Sequence, residues 1–193
     1  MGKIVLSQNL SLDGVVQDPT GDEGSRHGGW FVQIDDADRE AWAKVELEEA
    51  LGAEAVLLGR RTYDYFAARW ATRTGEWADR LRSLPKYVVT STPLDRPGWG
   101  NATALEGDAV KAAAKLRLEI DGEIVVYGSR QLAGTLMDHD LVDELRLMVY
   151  PCVLGAGGRL FGEMEEKLSL RLLDTRTIGD GLSYLSYEVV RAA

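Results

Sequence analysis

Three short segments have residue types and spacing that could hold an anion. They read Leu58-Gly59-Arg60-Arg61-Thr62, Val89-Thr90-Ser91-Thr92 and Tyr127-Gly128-Ser129-Arg130. Small residues let a ligand approach the backbone, and the free N–H groups at a helix start attract phosphate. Hydroxyls and guanidinium groups add hydrogen bonds, stronger where they carry charge. Each segment follows a short apolar run, so each sits at the carboxyl end of a buried strand, where open α/β sheets bind ligands. Any one of them alone is an ordinary turn, because Gly, Ser and Thr suit turns. Three in one small domain fit a nucleotide-sized anion as well as they fit three turns. No G-x-G-x-x-G or Walker loop is present, and Gly155-Ala156-Gly157-Gly158 has the spacing of a hairpin or bulge turn.

Asp13, in Ser11-Leu12-Asp13-Gly14, places a carboxylate just past the first strand. There it could orient a substrate amine or hydroxyl, or relay a proton, and it also reads as an Asp-Gly turn. Trp30 and Trp70 could wall a flat ring, although most of the five Trp residues suit packing. Cys152 is the one cysteine and lies in an apolar run, as a small buried hydrophobe would. One Cys and two His make a poor zinc set, so no metal is expected; Asp138-His139-Asp140 suits helix capping better.

The elements that must position these groups alternate. Ile4-Val5-Leu6, Ala55 to Leu58, Tyr87 to Thr90 and Ile124 to Tyr127 read as buried strands. Helices are expected over Asp38 to Leu51, Thr62 to Trp70 and Asp108 to Leu118, with a short one through Leu132 and Leu136. Gly14 to Gly29 reads as a loop, and Ala71 to Leu84 gives no functional signal. Later the texture changes. Leu145, Leu147 and Val149 alternate with Arg146, Met148 and Tyr150, Leu168, Leu170 and Leu172 alternate with polar residues, and Ser183 to Val190 forms a last run. These read as edge or half-exposed antiparallel strands. The whole, residues 1–193, is expected to be one domain: a mixed, mostly parallel sheet flanked by helices, with an antiparallel finish.

Composition sets outer bounds. The 193 residues include 22 Lys plus Arg against 31 Asp plus Glu, a net charge of −9. That disfavours nucleic acid and anionic membranes as partners. No apolar run reaches membrane-spanning length, and the N-terminus lacks a secretory pattern, so a cytoplasmic location is expected. The alternating strand Leu145 to Tyr150 could pair across a twofold axis, so a homodimer is expected.

In order and spacing these segments resemble the dihydrofolate reductase-like fold. Within it they are similar to the group related to the reductase domain of the bifunctional riboflavin-biosynthesis deaminase-reductase. Ser11-Leu12-Asp13-Gly14 matches that group's Ser-Leu-Asp-Gly, and Trp30 matches a Trp after its Gly-rich loop. Leu57 to Tyr63 resembles the Gly-Arg-x-Thr-aromatic motif. Val88 to Thr92 and Ile124 to Ser129 resemble the strands whose ends face the 2′-phosphate and the pyrophosphate. Pro151 to Phe161 matches the Pro-x-x-Leu-Gly-x-Gly segment. The resemblance implies NADPH as hydride donor. It places Gly59, Arg60, Arg61 and Thr62 on phosphate, Thr90, Ser91 and Thr92 by the 2′-phosphate, and Gly128 and Ser129 under the pyrophosphate. It puts Asp13 in the catalytic position and Asp13 with Trp30 against a small-molecule substrate. The implied activity is NADPH-dependent reduction of a small heterocyclic or imine-like substrate. The leading candidate is 5-amino-6-(5-phosphoribosylamino)uracil of riboflavin biosynthesis or a related pteridine. The alternatives are a non-enzymatic NADPH-binding protein and a flavin-using protein. Two departures stand out. The pterin-holding acid of dihydrofolate reductases would fall near Ala43, with Glu46 one turn away, and the deaminase half with its zinc ligands is absent.

Overall fold

The computed structural model describes residues 1–94, 99–164 and 166–191. One eight-stranded sheet forms its centre. The strands are β1 (Lys3–Ser11), β2 (Ala53–Gly59), β3 (Lys86–Val89), β4 (Ala102–Leu105), β5 (Glu123–Tyr127), β6 (Glu144–Tyr150), β7 (Ser169–Ile178) and β8 (Leu182–Val190). Their order is β4-β3-β2-β5-β1-β6-β8-β7. The first six run parallel, and β7 and β8 run antiparallel to their neighbours. The helices are α1 (Asp36–Gly52), α2 (Arg60–Trp70), α3 (Glu76–Ser83), α4 (Ala109–Glu119) and α5 (Arg130–Asp138), with a 3-10 turn at Trp30–Gln33.

Alternation along β1 divides the core. Ile4, Leu6 and Leu10 join α4 and α5 on one face, whereas Val5 joins α2 and α3 on the other. A helix on each face is what buries a parallel strand completely, and Ile4, Val5 and Leu6 are all solvent-free. α1 begins where Asp35 accepts a bond from the Asp38 amide (2.8 Å). The Asp38 side chain in turn accepts from the Asp180 and Gly181 amides at 2.7 and 3.1 Å, tying the β7–β8 turn to the helix start.

The expected α/β architecture with an antiparallel finish is what forms. One strand differs. β6 was expected among the antiparallel edge strands; it lies inside the sheet, parallel to β1 and antiparallel to β8. Both of its edges are occupied, so it cannot pair across a twofold axis as its alternation suggested. The alternation has another cause: Glu144 and Arg146 are held as ion pairs beneath a helix. The strand β4 and the helix α3 come out of stretches that carried no clear pattern.

Candidate functional site

The three anion-type turns come together at the carboxyl ends of β2, β3 and β5. The Gly59 amide donates to Ser129 Oγ (3.0 Å), and the Ser129 amide donates to Thr62 Oγ1 (3.1 Å). Gly128 has φ +53°, a left-handed conformation that a side chain would strain, although a Cβ there would meet Thr62 Cγ2 only at ordinary contact distance, 3.4 Å. Arg60 spans the remaining gap. Its guanidinium donates to Asp64 Oδ2 (2.9 Å), Thr92 Oγ1 (2.9 Å) and the Pro93 carbonyl (2.8 Å). Thr90 Oγ1 closes the second turn by bonding the Thr92 carbonyl (2.9 Å). Gly59, Arg60, Thr62, Thr90, Thr92, Gly128 and Ser129 thus form one cluster. Ser91 is exposed beside it, and the Arg61 side chain, 80 % exposed, reaches Glu23 at 3.4 Å.

Two helix starts face this cluster, those of α2 and α5, and neither has a side-chain cap. Their first-turn N–H groups are left for a ligand or for water. Two adjacent uncapped helix starts, close-packed glycines and several hydroxyls fit a dinucleotide diphosphate.

Asp13 lies past the end of β1 and is saturated with donors. Its carboxylate accepts from the Leu154 amide (3.1 Å), Ser11 Oγ (2.7 Å) and the Gly155 amide (2.9 Å), and Arg159 lies at 3.3 Å. The Leu154 amide and the other donors hold its pKa far below the usual carboxylate range. A carboxylate held ionised in this way can fix a loop or attract a cation. It is ill suited to give up a proton. Gly155 to Gly158 is the partner of that clasp, since Gly158 also donates to Gln17 Oε1 (2.8 Å). Trp30 is brought into the neighbourhood but is 3 % exposed. It stacks edge-on against Tyr150 (5.2 Å) and donates to the Gln17 carbonyl (3.0 Å). Its ring packs against the core beside Tyr150. Trp70 is likewise taken up by Trp77, at 4.3 Å.

A second set of groups, largely hidden from sequence reasoning, lies under α1. Glu46 and Glu49 face the sheet among Ser7, Tyr127, Arg146 and Tyr150. Burial pushes both carboxyls up, and Glu49 raises Glu46 further; Arg146 opposes the shift at Glu49 only. Among the described residues the Tyr150 hydroxyl is buried without a hydrogen-bond partner, and Glu49 Oε1 and the Tyr127 hydroxyl have no well-formed hydrogen bond, although Glu49 and Tyr127 interact with each other. They lie on α1, β5 and the end of β6, and Glu46 acts on both tyrosines. Buried polar groups are rarely left unmade, and a polar ligand or water is the usual explanation. Arg146 lies beside these groups, donating to Glu144 (2.6 Å) and Glu123 (2.7 Å) and approaching Glu49 (3.4 Å). Tyr127 also immediately precedes Gly128, so the chain runs directly from this buried group into the anion cluster. Glu46 drew notice in the sequence only as one turn from an expected acid. Glu49 drew none, although its spacing from Trp42 and Val45 puts it on the apolar stripe of α1.

Comparison with known proteins decides the family. The model of the RibD C-terminal domain matches residues 2–184. The chain belongs to the RibD C-terminal domain family. Membership places it with reductase domains, as an oxidoreductase at that coarse level. Uncharacterized Bacillus subtilis (strain 168) proteins are relatives. YyaP is 24 % identical over 191 residues, covering 96 % of this chain and 94 % of YyaP. YwjB is 30 % identical over 129 residues, covering 67 % and 70 %. Among solved structures, a Shewanella sp. PV-4 protein provisionally assigned to riboflavin biosynthesis matches with a TM-score of 0.71 and 21 % identity. The match covers 98 % of this chain and 99 % of that one. A pyrimidine reductase-like protein from Corynebacterium diphtheriae NCTC matches with a TM-score of 0.65 and 13 % identity, over 98 % and 92 %. These two share the fold. Among the described residues no helix is long and apolar enough to cross a membrane, and no His, Cys, Asp and Glu side chains group to hold a metal.

Proposed function

We propose that this protein is an NADPH-dependent reductase of a small, planar heterocycle or imine. The candidate substrates are a ribosylaminopyrimidine or a related pteridine. The observation that carries the reading is the meeting of the three anion-type turns in one cluster at the carboxyl ends of β2, β3 and β5. Through Tyr127 and Gly128 that cluster continues into the buried acids and tyrosines under α1. NADPH bound at the cluster would supply a hydride. Gly59, Gly128 and the uncapped starts of α2 and α5 would hold its diphosphate, with Arg60 and Thr92 beside the 2′-phosphate. The buried acids and tyrosines under α1 would do the rest. Tyr127, Tyr150 and Glu49 orient the substrate's polar edge. Glu46, whose carboxyl burial pushes up, holds the proton that balances hydride addition to C=N or C=O. Asp13 keeps the Leu154–Gly155 backbone closed over the end of β1.

Calorimetric titration with NADPH, NADH and FMN tests the reading. NADPH is expected to bind at micromolar level and NADH more weakly. Arg60→Ala should weaken NADPH binding about tenfold and NADH binding less, because it removes a charge-assisted contact. Equal loss for both would move Arg60 to the shared diphosphate. FMN binding without NADPH binding would overturn the cofactor assignment.

A further inference from the structure

The amino ends of β1 and β6 carry a second cluster of charge, away from the turns at the carboxyl ends of the parallel strands. An open cleft of about 480 Å³ lies there, a volume within the range of small-molecule sites. β1 has 9 residues, so the two ends of the sheet stand roughly 26 Å apart. Basic side chains from separate elements line the cleft: Lys3 of β1, Arg117 of α4, Arg171 of β7 and Arg191 just past β8. Asp143 Oδ1 accepts from both Arg117 (2.6 Å) and Arg191 (2.9 Å), so two guanidinium groups share one carboxylate oxygen. Asp143 Oδ2 is taken by the Ile4 amide (2.9 Å). Lys3 pairs with Glu144 and approaches Glu123 at 3.9 Å, and Arg171 pairs with Glu188. These pairs are lopsided. The side chains of Lys3, Arg171 and Arg191 are 41 %, 68 % and 40 % exposed, against 15 % and 5 % for Asp143 and Glu144. Among the described residues lining the cleft, Glu188 is the one carboxylate exposed to a like degree. The cations stand in front and the acids behind.

We infer that this cleft binds a small molecule carrying two or more phosphate or carboxylate groups. Guanidinium groups present paired donors that match the oxygens of either group. A protein of net charge −9 repels such anions over most of its surface, so a cleft fronted by cations is a local exception. Ion pairs that only fastened strand ends together would need one base for each acid; here a guanidinium is left over at Asp143. Exposed ion pairs contribute little, so Arg171 can exchange Glu188 for a ligand oxygen at small cost. Arg191 can do the same while Arg117 continues to satisfy Asp143. Leu173, on the strand that carries Arg171, gives the cleft an apolar wall for a carbon skeleton. The cleft is separate from the cluster assigned to NADPH, which lies at the other end of the sheet.

Residue-resolved amide NMR of the full chain, titrated in low salt with pyrophosphate or with citrate, tests this. The amides of Lys3, Asp143 and Arg171 should move together and saturate, with a Kd below about 1 mM for at least one of the two probes. The probe that binds more tightly identifies the recognised group as phosphate or carboxylate. Arg171→Gln/Arg191→Gln should weaken that binding about tenfold. Arg171→Gln alone should weaken it a few-fold and serves if the double variant fails to fold. Arg60→Gln, at the other end of the sheet, should leave this Kd within about twofold. Shifts confined to Gly59, Gly128 and Ser129, an unchanged Kd in Arg171→Gln, or no saturable shift with either probe would overturn the proposal.

Discussion

Asp13 and Glu46 are two carboxyl groups near one ligand-binding edge, and their surroundings drive them in opposite directions. Around Asp13 the chain is a turn rich in donors, with two backbone amides, a hydroxyl and a guanidinium on one carboxylate. Around Glu46 there is a helix, a sheet face and a second carboxyl, and no described residue donates a hydrogen bond to it. The first environment stabilises negative charge and the second excludes it. The resemblance placed Asp13 in the catalytic position. The opposite directions of the two shifts support the proposed division of work, with Asp13 as a clasp and Glu46 as the proton holder.

The largest effect should come from the buried member. Glu46→Gln keeps the shape and a hydrogen-bonding group but cannot release a proton. Turnover should fall about 10²- to 10³-fold while NADPH affinity stays within about twofold. Stability should move the other way. Burial raises the folded pKa of Glu46 above its unfolded value. Its contribution to stability is therefore present below the unfolded value and is lost as pH rises through the folded one. Glu46→Gln should accordingly have a higher Tm than wild type at pH 8 and an equal one near pH 4, read by scanning calorimetry. A lower Tm at pH 8 would break the comparison.

Asp13→Asn should act more mildly and with the opposite pH sign. The variant keeps one acceptor oxygen for the Leu154 and Gly155 amides but loses the charge that faces Arg159. Turnover should drop about tenfold, through loss of positioning. The folded pKa of Asp13 is lowered, so its contribution is present above the unfolded value and is lost as pH falls through the folded one. The Tm deficit of the variant should be fully present at pH 7 and shrink below about pH 4. A deficit that persists unchanged at pH 2.5 would mean that packing, and not charge, is what Asp13 supplies.

The smallest effects concern the buried tyrosines. Among the described residues the Tyr150 hydroxyl has no hydrogen-bond partner and that of Tyr127 has only its contact with Glu49, so Tyr127→Phe and Tyr150→Phe should cost little stability. If the hydroxyls meet substrate, each variant should raise KM a few-fold, and kcat should change less. A marked loss of stability from either would mean that the hydroxyl already has a role in the folded protein without ligand.

Local chemistry was legible in the sequence, and distant pairing was not. The turns at Gly59, Thr90 and Gly128 announced themselves because their residue types serve the turn in which they sit. The strands leading to them were equally readable, because continuous apolar runs suit strands buried on both faces. Asp13 was visible, but its donors lie 141 and 142 residues away and no local pattern marks them. Glu49 was concealed within a helix that also carries Glu40, Glu46 and Glu48; only packing decides which of them face inward. β6 was misplaced because buried ion pairs at Glu144 and Arg146 imitate the polar alternation of an edge strand. β4 is four small or unremarkable residues, Ala-Thr-Ala-Leu, and takes its shape from pairing with β3. The burial of Trp30 was equally hidden, because it depends on Tyr150, with which it packs edge-on.

The most direct test of the divided roles is a carbon-detected NMR titration of side-chain carboxyls in the ligand-free protein, from pH 2.5 to 9. Glu46 should remain protonated at pH 7, and Asp13 should remain ionised down to about pH 3. If instead both titrate near the ordinary carboxylate range, about pH 4, the contrast between buried proton holder and ionised clasp is wrong.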